Sequence, residues 1–243
     1  MVWCGTMIEN ERASQNLQEH LRHAITDYKG EQKSGSLTPE VVTRYWQVKF
    51  TVDGERAGID FAVPDCDWTA EAIRRPMVDI RGREIPGLMI PVIRGVTLPV
   101  LGRMYPLMHN SSVREGIYSM PIKDVHNTEG WVKVYASMES PNCNTSRRDA
   151  ERFAKDKGYL EGREITYILG SQAYKELNLD NDTEGHYFDE NGETWSFLPG
   201  SRVGDRLIDA NFYPDGDLYV FCGLDPDVPF RFEGWRFEEV EKA

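Results

Sequence analysis

Apolar positions in residues 9–29 recur every three to four residues. Leu17, Leu21, Ala24, Ile25 and Tyr28 therefore share one face of an amphipathic helix. Gly30 reads as its stop, and Gly30–Pro39, rich in Gly, Ser and Lys, reads as a linker. Thr38-Pro39-Glu40 has the form of a helix start, with Thr as cap and Pro in the first turn. The segments Tyr45–Val52 and Arg56–Val63 then flank Asp53-Gly54, a dipeptide that predicts a β-hairpin. Trp68–Arg74 predicts a short helix closed by Pro76. Prolines at 86, 91, 99 and 106 exclude helix from residues 77–107 and predict short strands there.

Ser112–Met120 and Trp131–Met138 read as further strands. Thr145–Lys157 is a second helix, with Ala150, Phe153 and Ala154 inward and Gly158 at its end. Arg163–Leu169 reads as a strand and Ser171–Leu177 as a short helix. Beyond Gly185 the pattern is β with turns. Asn191-Gly192 separates Tyr187–Phe188 from Thr194–Phe197, Asp215-Gly216 separates Ala210–Tyr213 from Leu218–Phe221, and Phe230–Phe237 forms a last strand. The expectation is an α+β fold of mostly antiparallel hairpins and short strands, with an N-terminal helix and a second helix near 145–157. It divides into a helix and linker (1–35), a mixed α/β core (36–178) and an acidic, aromatic-rich antiparallel β segment (179–243), packed as one unit.

Charge changes this picture more than composition does. The 243 residues carry a formal net charge of −12, and 40% of them are hydrophobic, enough for a core. Residues 179–243 hold 16 acids and 5 bases, a net of −11, against −1 for residues 1–178. Phosphate backbones repel such a segment, which disfavours direct duplex nucleic-acid binding through it and favours a basic protein partner. The longest apolar run, Leu88–Ile93, is six residues and contains a proline, far short of a membrane span. Glu9, Glu11 and Arg12 interrupt any signal-peptide core. Cys4, Cys66, Cys143 and Cys222 form no Cys-x-x-Cys pair, which points to reduced thiols and a soluble, cytoplasmic protein.

Three chemical constellations stand out. Asp180, Asp182 and Glu184 before Gly185 match the opening of a looped Ca²⁺ site, with Glu190 one place short of the closing ligand, so Ca²⁺ or Mg²⁺ is the cofactor this loop implies. Asn142, Asn144, Thr145, Ser146, Arg147 and Arg148 lie at a strand–helix junction, where helix N–H groups and two arginines favour an anion. Asp60 and Asp79-Ile80-Arg81 have nuclease-like spacing, but Arg stands where such sites use Lys. Ala57–Ala62 and Gly204–Ile208 are similar to two motifs of the trimeric dUTPase family, without its Arg-Ser-Gly element and at too great a separation. Gly116-Ile117-Tyr118 with Val134-Tyr135-Ala136 resembles the GIY-YIG nucleases, without the second motif's glycine. No His-Glu-x-x-His or Gly-x-Ser-x-Gly pattern occurs.

The resulting expectation is a non-catalytic interaction protein, in an accessory, inhibitory or nucleic-acid-mimicking role. It would present an acidic, aromatic-bearing β surface, including Asp215, Asp217, Asp225, Asp227 and Trp235, to a basic protein. The alternative is a hydrolase or nuclease acting on a phosphorylated or nucleotide substrate at the 139–148 junction.

Overall fold

The computed structural model describes residues 3–105, 122–124, 126–180, 184–190, 193–204, 206–222 and 231–241. It is an α+β fold of antiparallel sheets behind an N-terminal helix pair. Helix α1 (Trp3–Ser34) runs through the stretch expected as a linker and ends at Gly35, whose φ is +70°. Its Leu21, Ala24 and Tyr28 are buried against α2 (Pro39–Ala57). Thr38 caps α2 by accepting from the Val41 N–H, Pro39 occupies the first turn, and Gly58 closes it in a left-handed conformation.

The hairpin expected around Asp53-Gly54 is therefore helix. The reason is tertiary. Val41, Val42, Tyr45, Trp46, Phe50 and Val52 are all buried, and burying each large apolar side chain contributes about 1.5–3 kcal/mol. Gly54 marks a close approach rather than a turn, since a Cβ there would lie 2.4 Å from the Ile59 carbonyl oxygen.

The short helix α3 (Ala70–Arg74) is capped by Thr69. Strands β1 (Met77–Val78) and β2 (Glu84–Ile85) form a small hairpin, and β3 (Gly87–Val92) follows. Helix α4 (Leu98–Met104) corrects the exclusion of helix from 77–107, because Pro99 sits in its first turn, where no N–H is needed. The expected strand 112–120 lies outside the described residues. Next come β4 (Ile122–Asp124), β5 (Gly130–Tyr135) and α5 (Arg147–Lys157), capped by Ser146 and ended by Gly158 as its local signals require.

After β6 (Leu160–Glu161), one helix, α6 (Glu164–Leu177), replaces the expected strand and short helix. Tyr167, Ile168, Leu169, Ala173, Tyr174 and Leu177 are all buried, so the run is apolar nearly all round and its period is uninformative. Tyr187–Phe188 forms no strand. The remaining strands are β7 (Trp195–Val203), β8 (Arg206–Phe212), β9 (Leu218–Cys222), β10 (Glu233–Trp235) and β11 (Phe237–Glu239).

Beside the β1–β2 hairpin, two larger sheets carry the β structure of the described residues. One has the order β10-β7-β8-β9, with β4 also paired to β7; the other is β3-β5-β11-β6. Only β10–β7 is parallel among these pairings. The single strand expected over Phe230–Phe237 is thus two short strands that enter different sheets on either side of Arg236. That side chain is buried and pins the switch. It donates to Ser196 Oγ at 2.7 Å and to the Tyr135 and Ser137 carbonyls at 3.0 Å. It lies 3.6 Å from the Asp189 carboxylate and over the Phe188 ring. No helix among the described residues is long and apolar enough to cross a membrane.

Candidate functional site

Register divides the β10-β7-β8-β9 sheet into two unlike faces. Ser196 pairs Ala210, Leu198 pairs Ile208, Ala210 pairs Val220, and Phe212 pairs Leu218. Leu198, Ile208, Ala210, Phe212, Leu218 and Val220 belong to the main core, where Phe212 stacks on Tyr167 of α6. Alternate residues point the other way.

On that second face Phe197, Leu207 and Trp235 join a separate apolar cluster with Ala150 and Ala154 of α5. The remainder is polar and aromatic. Glu233 pairs Trp195, Phe197 pairs Asp209, and Asn211 pairs Tyr219. Tyr213, at the start of the turn, packs on Tyr219 with ring centroids 4.4 Å apart and is 39% exposed. Asp215 accepts from the Asp217 N–H in the turn itself, and Asp215 is exposed.

Asp209 and Asn211 are buried, and Glu233 is half-buried. Yet Asp209 Oδ1, Asn211 Oδ1 and Nδ2, and Glu233 Oε2 have no hydrogen-bond partner among the described residues. A buried polar group left unpaired costs about 1–3 kcal/mol, and most are paired in native proteins. Four such atoms on neighbouring strands of one face are exceptional. Burial pushes the Asp209 carboxyl up to about 6. Burial, then the nearby Asp209 charge, pushes Glu233 up to about 7. A cation brought beside them favours their ionised form, with the proton released to solvent. Carboxylates accept only, and Lys and Arg side chains donate only, so the chemical complement is a cationic head beside aromatic rings.

The other sequence-derived candidates are placed differently. Trp235 is fully buried, with its indole N–H donating to the Thr145 carbonyl, and so belongs to no surface. Asp225 and Asp227 lie outside the described residues. The acids of 179–243 do not form one outward surface. Asp189 and Glu238 lie in the interior, beside Arg236 and Arg163.

The 139–148 junction is a structural joint. Asn142 is buried at positive φ, accepts from the Ile80 N–H and donates to the Trp235 carbonyl. Asn144 bonds the Glu233 carbonyl through its backbone N–H. Thr145 Oγ1 donates to the Cys143 carbonyl, and its own carbonyl receives the Trp235 indole. Ser146 caps the helix together with Asp149, and Arg147 pairs with Glu151 at 2.7 Å. Arg148 is exposed. The helix start is thus filled by the chain's own acid.

In the loop expected to hold Ca²⁺ or Mg²⁺, Asp180 bonds His186 and Glu184 is exposed. Glu190 accepts from the Tyr187 N–H and lies 3.6 Å from Lys175, and Asp182 lies outside the described residues. Among the described residues no group of three or more His, Cys, Asp or Glu side chains is arranged to hold a metal ion.

Asp209, Asn211 and Glu233 were not singled out by sequence reasoning. Their signal is the alternation of Leu207, Asp209 and Asn211 with Ile208, Ala210 and Phe212, which places polar groups on the face opposite the core. Comparison with family models, curated proteins and solved structures finds no match to this chain.

Proposed function

We propose that the protein is a non-catalytic binding module, and that the acid- and aromatic-lined face of its β10-β7-β8-β9 sheet receives a cationic side chain of a basic partner protein. The observation that carries the reading is the group of orphaned polar atoms on Asp209, Asn211 and Glu233. An arginine or lysine head supplies donors for Asp209 Oδ1, Asn211 Oδ1 and Glu233 Oε2, a backbone carbonyl of the same partner can accept from Asn211 Nδ2, and charge-assisted bonds to such buried or half-buried acids are among the stronger ones. The Tyr213–Tyr219 pair flanks this face, and tyrosines are frequent anchors in protein interfaces. Asp215 and Asp217, at the β8–β9 turn, extend the negative field and speed encounter with a basic surface. A cytosolic, reducing location belongs to the same reading, which the free thiols of Cys66 and Cys143 support.

The test is titration calorimetry of the full chain with an arginine-rich peptide at several salt concentrations. Binding should weaken as salt rises. Asp209→Asn combined with Glu233→Gln should weaken it about ten-fold or more, from the loss of charge-assisted bonds worth about 1.5–3 kcal/mol each. The pair Glu40→Gln and Glu55→Gln, on exposed positions of α2, removes the same net charge elsewhere and should change little. Equal weakening by both pairs would mean that only overall charge matters, and the proposal would fall.

A further inference from the structure

A second polar cluster lies where α1, α2 and α6 meet. Lys49 of α2 is buried, with its ammonium 3.0 Å from Asp53 Oδ2 and 3.3 Å from Glu176 Oε2. Tyr105 donates to Asp53 at 2.9 Å and Tyr45 donates to Glu176 at 2.7 Å. Lys49 thus sits between two anions, and the only other cation on them is Arg56, 3.8 Å from Asp53 at the outer edge, among the described residues. An apolar trio of similar volume would stabilise the junction of three helices as well or better, because taking ions out of water is costly. Ionic groups retained in such a place, next to open space, point to a ligand.

The open space is a cavity of about 260 Å³, bounded by Leu21 and Val52 on the apolar side and by Tyr105 and Tyr187 as aromatic walls. Two groups of opposite charge remain available in it. Glu176 engages both of its partners through Oε2, which leaves Oε1 without a hydrogen bond among the described residues. Arg56 is half exposed, and its guanidinium reaches only to 3.8 Å from Asp53 Oδ1, too long for a hydrogen bond. Lys175, also in the lining, is held over the Tyr187 ring at 4.0 Å, lies 3.6 Å from Glu190 and donates to the Pro214 carbonyl at 3.5 Å.

We infer that this cavity binds a small zwitterion of amino-acid size, its ammonium on Glu176 and its carboxylate on Arg56. The volume suits such a molecule and is small for a nucleotide. A simple anion would meet the Asp53 and Glu176 carboxylates at the floor. A simple amine would leave the Arg56 guanidinium with only its long, 3.8 Å ion pair to Asp53 and no hydrogen-bond acceptor. Only a ligand with both charges satisfies both ends. The site is independent of the sheet face, so either proposal can fail without the other.

The experiment is a thermal-shift screen of the full chain against the L-amino acids, followed by calorimetry on any that raise the melting temperature. Acetate, propionate, methylamine and ethylamine serve as single-charge probes. At least one amino acid should bind, and each single-charge probe should bind at least ten-fold more weakly. Arg56→Gln, at an exposed position that makes no hydrogen bond and only a long ion pair, should reduce affinity at least ten-fold while the unliganded protein stays folded. Glu176→Gln should reduce it similarly, and the intact Arg56→Gln protein keeps the test decisive should Glu176→Gln unfold. Absence of any amino-acid binding, equal binding of a carboxylate or amine alone, or unchanged affinity in Arg56→Gln would each overturn the inference.

Discussion

Asp209→Asn should make the protein more stable, by an amount that depends on pH. The Asp209 carboxyl is buried, and burial raises it from an ordinary 3.8 to about 6 in the folded chain. The folded state therefore holds a proton that the unfolded state has already lost between those two values. Each pH unit of such a shift corresponds to about 1.4 kcal/mol, so ionised Asp209 weakens the fold by up to about 3 kcal/mol above pH 6. Below pH 4 both states are protonated and the penalty vanishes. Asparagine keeps the shape and does not ionise, but its buried amide is also unpaired, so the net gain at pH 8 should be about 1–3 kcal/mol. At roughly 2–4 °C per kcal/mol for a chain of this size, the melting temperature should rise by about 2–12 °C. Denaturant unfolding of both proteins from pH 4 to pH 8 measures the difference directly. The gap should be small at pH 4, open through pH 6 and stay level above it. A gap independent of pH, or a variant less stable than the parent at pH 8, would show that the carboxylate has a partner in the fold and would refute the reasoning.

The same acids make binding pH-dependent. Glu233, raised to about 7, is still largely protonated at pH 6 and ionises as pH rises, so affinity for an arginine-rich peptide should increase from pH 5.5 to pH 8 with proton release on binding. Calorimetry in buffers of different ionisation enthalpy reads this, and a flat or falling profile contradicts the assignment. Arg236→Ala leaves the buried Asp189 without its cation and strips the Tyr135 and Ser137 carbonyls of a donor. It should destabilise the fold by about 3–5 kcal/mol in denaturant titrations. Arg236→Lys should recover less than half of that, because an ammonium cannot reproduce the planar fork; a loss below about 1 kcal/mol in Arg236→Ala would show that the pair does not hold the strand switch.

Some of this protein is legible locally. Ser146 and Gly158 bound α5, Thr38-Pro39 starts α2, and Asp215-Gly216 turns β8 into β9 with Gly216 at φ +91°. These signals act through the backbone within a few residues, so no distant partner is needed to read them. The Asp53-Gly54 dipeptide has the same form as Asp215-Gly216 and the opposite outcome. Its flanks bury Trp46, Phe50 and Val52 against other elements, and that burial outweighs the turn preference. The run from Ile165 to Leu169 is helix for a related reason: packed on most sides, it shows no period to read.

The concentration of acids after residue 178 is plain from the chain, but their placement is not. Asp189 and Glu238 meet Arg236 and Arg163 inside the fold, and Trp235 faces α5 rather than solvent. Asp209 and Glu233 share a face because β7 pairs with β8 on one side and β10 on the other. Register of that kind is selected by the fit of the whole core, since slipping a strand by one residue would exchange its inner and outer side chains. No local stretch of sequence carries that information.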